Sequence, residues 1–90
     1  MLKVAKFGGS SLSDSAQFAK VKHIVESDDA RKVVVVSAPG RRTSDDNKIT
    51  DLLYLCKAHL KYDVSPDPIF EMISARYREI RDQLGLTLDV

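Results

Sequence analysis

The sequence lacks most of the features that would assign it a class at a glance. It holds a single cysteine, Cys56, so an internal disulfide framework is excluded. Neither sign of charge is in surplus: 14 Lys and Arg stand against 13 Asp and Glu, a net charge of +1. That balance gives no reason to expect nucleic acid or a membrane surface as a partner. No apolar run approaches the length needed to span a bilayer. The opening Met1-Leu2-Lys3-Val4-Ala5-Lys6-Phe7 has charges inside its apolar stretch and no long hydrophobic region, unlike a signal peptide. There is no internal repeat and no low-complexity tract. These absences lead us to expect a soluble, cytoplasmic chain. Hydrophobic residues make up 43% of the 90 positions, enough for a core and too many for disorder to be the default. The length allows at most one small domain.

The period of the apolar residues changes several times. Residues 2–7 are short and β-prone and stop at Gly8-Gly9, which reads as a strand entering a tight turn. Residues 12–27 read as a helix, with Phe18, Val21 and Val25 on one stripe and Ile24 widening it. Ser10, Ser11 and Ser13 are the candidate caps for its start. After the polar break Asp28-Asp29-Ala30-Arg31 come four consecutive valines, Val33–Val36. Both faces of that segment are apolar, as in an inner strand of a parallel sheet covered on both sides. It ends at Ser37-Ala38-Pro39-Gly40, where Pro and Gly punctuate the chain.

Residues 41–47 are polar and loop-like. A second helix is expected from about Lys48 to His59, with Ile49, Leu52, Leu53, Cys56 and Leu60 on one face. Pro66 and Pro68 bracket a turn, and Pro68 suits the first turn of a third helix over about 69–84. Ile69, Ile73, Tyr77, Ile80 and Leu84 share a side of that helix, and Gly85 is its natural stop. Strand, helix, strand, helix, helix is the opening of an α/β domain, and its first three elements form a βαβ unit, right-handed almost by rule. Two strands cannot complete a sheet with two covered faces. The valines therefore predict neighbouring strands beyond these residues.

Three segments could carry chemistry. In Lys6-Phe7-Gly8-Gly9-Ser10-Ser11 a strand ends, two glycines turn the chain, and a helix is expected soon after. Glycines let backbone N–H groups approach a phosphate, a helix start adds free N–H groups, and Lys6 adds a full charge. Such an assembly suits phosphoryl transfer. It is neither a Walker A sequence nor a dinucleotide fingerprint, and Gly-Gly after a strand is also an ordinary turn. The second segment, Val33 to Gly40, puts small residues after a buried parallel strand, where ligands bind in open α/β sheets. Ser37 there is also readable as a turn cap, and Pro39-Gly40 as a bend. The third, Lys48-Ile49-Thr50-Asp51-Leu52-Leu53, is by itself an ordinary helix start with a dipole-favoured acid. Cys56 reads as a core residue, and His23 and His59 as surface residues in charged helical surroundings.

Together the three segments resemble the ordered motifs of the aspartokinases, members of the amino-acid kinase family. Lys6-Phe7-Gly8-Gly9-Ser10-Ser11 follows an N-terminal strand. Val35-Val36-Ser37-Ala38-Pro39-Gly40 and Lys48-Ile49-Thr50-Asp51-Leu52-Leu53 come after it in the family's order. The likeness covers about the first 55 residues well. It implies the amino-acid kinase fold, a parallel-rich sheet between helical layers, of which these residues make the opening βαβ portion.

It further implies transfer of the ATP γ-phosphoryl group to the 4-carboxylate of L-aspartate, with Mg2+ accompanying ATP. Lys6 would contact the transferred phosphate, and Gly8, Gly9 and Ser10 the nucleotide phosphates. Ser37 and Thr50 would line the aspartate pocket. No metal ligand is implied within these residues.

The loop from Arg41 to Asn47 is long for the family. The later acidic residue of the substrate pocket, the Gly-Arg-Gly-Gly-Ser-Asp segment, the nucleotide-base pocket and the ACT regulatory domains are absent from residues 1–90. The close at Leu86–Val90, without tail-like composition, reads as a cut inside a longer gene product, which would form homo-oligomers. We therefore expect the 90 residues alone to be inactive. Two other readings stay open: a non-catalytic nucleotide-binding or interaction module, and a kinase for another amino acid such as glutamate.

Overall fold

The structure, a computed structural model, describes all 90 residues. Strand β1 runs Lys3–Phe7 and, after a 3-10 turn at Gly9–Leu12, helix α1 covers Ser15–Glu26. Strand β2 is Arg31–Val36, helix α2 Ile49–Lys61 and helix α3 Asp67–Gln83. β1 and β2 pair in parallel, with Phe7 opposite Val36. The Ser37 N–H extends the ladder by donating to the Phe7 carbonyl at 3.2 Å. Parallel pairing sends both strands out at the same edge, so the loops that follow them are neighbours. This is the α/β, parallel arrangement expected from the sequence.

Two boundaries differ for local reasons. β2 begins at Arg31, two residues before the valines, because Lys3 pairs with Arg31 across an irregularity in the register. α1 begins at Ser15, and its cap is none of the three serines proposed. The Asp14 carboxylate accepts from the Gln17 N–H at 3.0 Å. Ser13 instead donates its hydroxyl to the Ser10 carbonyl at 3.2 Å and closes the 3-10 turn. The glycine pair thus feeds a tight turn, and α1 starts one turn later than expected.

The ends of α2 and α3 are both Schellman motifs. At α3 the Leu86 N–H donates to the Arg81 carbonyl at 2.9 Å and the Gly85 N–H to Asp82 at 3.1 Å. Gly85 has a φ of 69°, the left-handed conformation that glycine adopts without a Cβ penalty. Asp63 plays the same part after α2 with a φ of 60°.

The core is thin. Its centre is Ile49 and Leu52 of α2 with Ile73 of α3, and Ala38, Cys56 and Ile69 pack against it. Phe7, Leu12 and Ile80 complete the buried apolar set. The radius of gyration is 15.4 Å, against about 12 Å for a compact domain of this length. The chain is elongated, 52 × 26 × 26 Å, and its second strand is open: Val33, Val34, Val35 and Val36 are 43%, 40%, 46% and 60% exposed. They point alternately to the two faces of the sheet, so both faces and an edge of β2 stand open. Leu53 and Leu60, expected on the packed face of α2, are exposed as well. No helix is long and apolar enough to cross a membrane.

Candidate functional site

A cleft of about 450 Å³ opens at the edge of the sheet where both strands end. Gly9 and Ser10 line it from the first loop, Ser37 to Arg41 from the second, and Lys48 and Thr50 from the start of α2. Four of the six residues singled out in the sequence, Gly9, Ser10, Ser37 and Thr50, therefore meet in one place. Gly8 and Lys6 do not line it. Gly8 precedes the 3-10 turn with an ordinary extended backbone, φ −78° and ψ 177°. Lys6 lies in β1 opposite Val35, one residue before the buried Phe7. Lys3 pairs with Asp28 at 2.6 Å, whereas no carboxylate pairs with Lys6. Its side chain is exposed and its cation has no carboxylate partner.

The two loops touch backbone to backbone. The Gly40 N–H donates to the Gly9 carbonyl at 2.8 Å. A Cβ on Gly40 would lie 2.7 Å from the Gly9 carbonyl carbon and 2.9 Å from the Ser10 nitrogen. A Cβ on Gly9 would lie 3.0 Å from the Ala38 carbonyl oxygen. Gly40, readable in the sequence only as part of a bend, is thus required for the approach. Nothing in the sequence alone could have found this, because it depends on a partner 31 positions away.

Despite its length, the 41–47 loop returns the chain to the cleft. Pro39 accepts from the Ile49 N–H at 3.1 Å, so the start of α2 sits against the second loop. Asp46 closes the excursion: its carboxylate takes the Arg42 backbone N–H at 3.0 Å and the Arg42 Nε at 2.7 Å. No side chain caps α2, so its positive end, with Lys48 beside it, favours anions in the cleft. Arg41 and Lys48 add two cations to which the motif reading gave no role.

Hydrogen bonding from Arg42 holds the Asp46 carboxyl well below the usual carboxylate range. A depressed folded pKa stabilises at every pH above the unfolded value of about 3.9, and the effect is lost as pH falls through the folded value. The Asp46→Asn variant is therefore expected to melt below the parent by a constant margin from neutrality to about pH 5. The margin should shrink below about pH 4, where the parent loses its advantage. Thermal unfolding followed across that range checks this.

The most buried charge near the site is Arg76, which the helical period concealed behind Tyr77. It is 5% exposed. Its Nη2 donates to the carbonyls of Gly40 at 2.7 Å and Ser13 at 2.9 Å, and its Nη1 to Asn47 at 2.8 Å. Burial lowers its pKa. His23 is exposed and distant in sequence from every cleft residue, and His59 meets the Ser65 carbonyl at 3.1 Å. No three His, Cys, Asp or Glu side chains are arranged to hold a metal ion.

No protein-family profile matches the chain. It is 49% identical over 85 residues to aspartokinase 3 of Bacillus subtilis (strain 168), covering 94% of this chain and 19% of that protein. Its fold superimposes on the aspartate kinase of Clostridium acetobutylicum with a TM-score of 0.92 and 57% identity. That match covers 96% of this chain and 20% of the other. The chain thus spans about a fifth of the length of the relatives it matches. In sequence and in fold, nearly the whole chain is similar to about a fifth of an aspartokinase.

Proposed function

We propose that residues 1–90 are the N-terminal part of an amino-acid kinase domain. The complete protein would be an ATP:L-aspartate 4-phosphotransferase, with the rest of the kinase domain and the ACT domains supplied by further chain. The observation that carries this reading is the convergence of three aspartokinase-like motifs on one cleft lined by Gly9, Ser10, Ser37 and Thr50. The open valine strand supports the part-domain reading, since strands beyond residue 90 would cover it.

In this reading the Gly8-Gly9 turn and the Ser10 hydroxyl hold nucleotide phosphates. Lys6 offsets charge on the transferring phosphoryl group. Ser37 and Thr50 orient aspartate so that a side-chain carboxylate oxygen attacks the γ-phosphorus as the bond to the β-phosphate bridging oxygen breaks. ADP and aspartyl 4-phosphate leave. Rate comes from positioning and fixed charge, with no covalent enzyme intermediate. Residues 1–90 offer no cage for Mg2+; it would arrive with ATP, where it neutralises phosphate charge. The product would feed lysine, threonine and methionine synthesis in the cytoplasm. The partners are ATP, L-aspartate and further copies of the complete chain, and neither nucleic acid nor a membrane is among them.

The test is acyl-phosphate formation by the complete kinase, trapped with hydroxylamine, on aspartate and on glutamate. Aspartate-dependent product is expected. Product on glutamate alone would move the protein to another amino-acid kinase, and ATP binding without product would favour the binding-module reading.

A further inference from the structure

We infer that Arg76 is a positioning residue for the proposed kinase site: its guanidinium holds the three motif loops at the spacing that phosphate and aspartate require. The inference rests on the aspartate kinase reading. The three carbonyls that Arg76 engages belong to three separate stretches of chain. Ser13 ends the turn that follows the glycine pair, Gly40 ends the loop after β2, and Asn47 precedes the start of α2. One side chain from α3 thus ties together every segment that lines the cleft, while Arg76 itself is not among the lining residues.

Stability is a poor explanation for this arrangement. A buried guanidinium loses its hydration, and that cost offsets much of what its hydrogen bonds contribute to stability. Here the nearest carboxylate oxygen, on Asp46, is 3.9 Å away, and Arg76 Nε is buried with no acceptor. What a guanidinium supplies and a methionine does not is a planar fork of donors that fixes several acceptors at set separations. The acceptors here are backbone groups of the site, and Gly40 is also the residue packed against Gly9. Arg76 therefore holds, through the Gly40 carbonyl, the residue whose N–H makes the contact with Gly9. A lysine has the charge but a single nitrogen, which cannot reproduce the fork.

The experiment compares the complete kinase with Arg76→Met and Arg76→Lys, reading kcat per mole of folded enzyme, the KM of each substrate, and thermal unfolding. Both variants are expected to lose about 10- to 100-fold in kcat at temperatures where they are fully folded, as loosened positioning does. Lysine should recover thermal stability more than it recovers kcat. Unchanged kcat in a folded variant overturns the inference, and so does failure of both variants to fold, which would confine Arg76 to folding. A parent enzyme with no aspartate-dependent turnover refutes the kinase reading itself. Parent turnover with unaltered variants refutes only the role of Arg76.

Discussion

Replacing Lys6 with alanine in the complete kinase is expected to lower kcat by about 100- to 1,000-fold, or roughly 3–4 kcal/mol of transition-state stabilisation. Lys6 stands at the end of β1, beside the glycine turn, and no carboxylate in the chain neutralises it. In the proposed site that free cation would offset charge that builds up on a transferring phosphoryl group. Its truncation should leave the fold intact, because the side chain is exposed and makes no buried contact. Lys6→Arg should restore little, since the wider, planar guanidinium does not replace a compact ammonium. Turnover and thermal unfolding measured on the same preparations check this. Near-normal turnover in Lys6→Ala, or a loss that only tracks unfolding, would show Lys6 to be a solvated strand-end charge.

The Gly40→Ala variant is expected to damage both stability and catalysis. The added methyl meets backbone atoms of Gly9 and Ser10 at 2.7–2.9 Å, so no side-chain rotation relieves it. The loops must move apart, and the 2.8 Å hydrogen bond from Gly40 to Gly9 is lost with them. Overpacking of this kind costs about 1–3 kcal/mol. A separation on the order of 1 Å between phosphate and substrate loops would cost about 100-fold in rate. Gly8→Ala is the contrasting case. Its Cβ meets nothing within 4 Å, and its backbone is in a conformation open to any residue. That variant should fold as stably as the parent. Its KM for ATP should nevertheless rise, because the methyl would stand where the nucleotide phosphates approach. Equal ATP affinity in the parent and Gly8→Ala would remove Gly8 from the phosphate site while leaving the structural role of Gly40 untouched.

The sequence revealed the order of elements because its apolar period changes sharply at each boundary. Four valines in a row read as a strand apolar on both faces, and the strand is there with those valines exposed. Its errors are local. Leu12 and the serines around it continue a helical spacing, yet a 3-10 turn takes Gly9–Leu12 and leaves Asp14 as the cap. Asp63 gave no sign of a left-handed backbone, because an aspartate suits many other conformations.

Arg76 was hidden for a stronger reason. Hydrophobic spacing reads any charge as solvent-facing and passes over to Tyr77. Yet the buried stripe of α3 is Ile73, Arg76 and Ile80. Only loop carbonyls brought from far along the chain make a guanidinium acceptable on that stripe. The site shows the same division. Gly9, Ser10, Ser37 and Thr50 were legible as motif residues. The Gly9–Gly40 contact and the place of Arg41 and Lys48 in the cleft became visible only once the loops stood side by side.

In the proposed enzyme the phosphoryl group passes from ATP to aspartate in the cleft between the glycine loop, the Ser37 loop and the start of α2. The most direct measurement is a crystal structure of the complete kinase with a non-hydrolysable ATP analogue, Mg2+ and aspartate. The expected result puts the γ-phosphate within hydrogen-bond reach of Lys6 Nζ and the Gly8-Gly9 backbone, with the aspartate side chain between Ser37 and Thr50. Nucleotide phosphates bound elsewhere, with this cleft occupied by neither ligand, would contradict it.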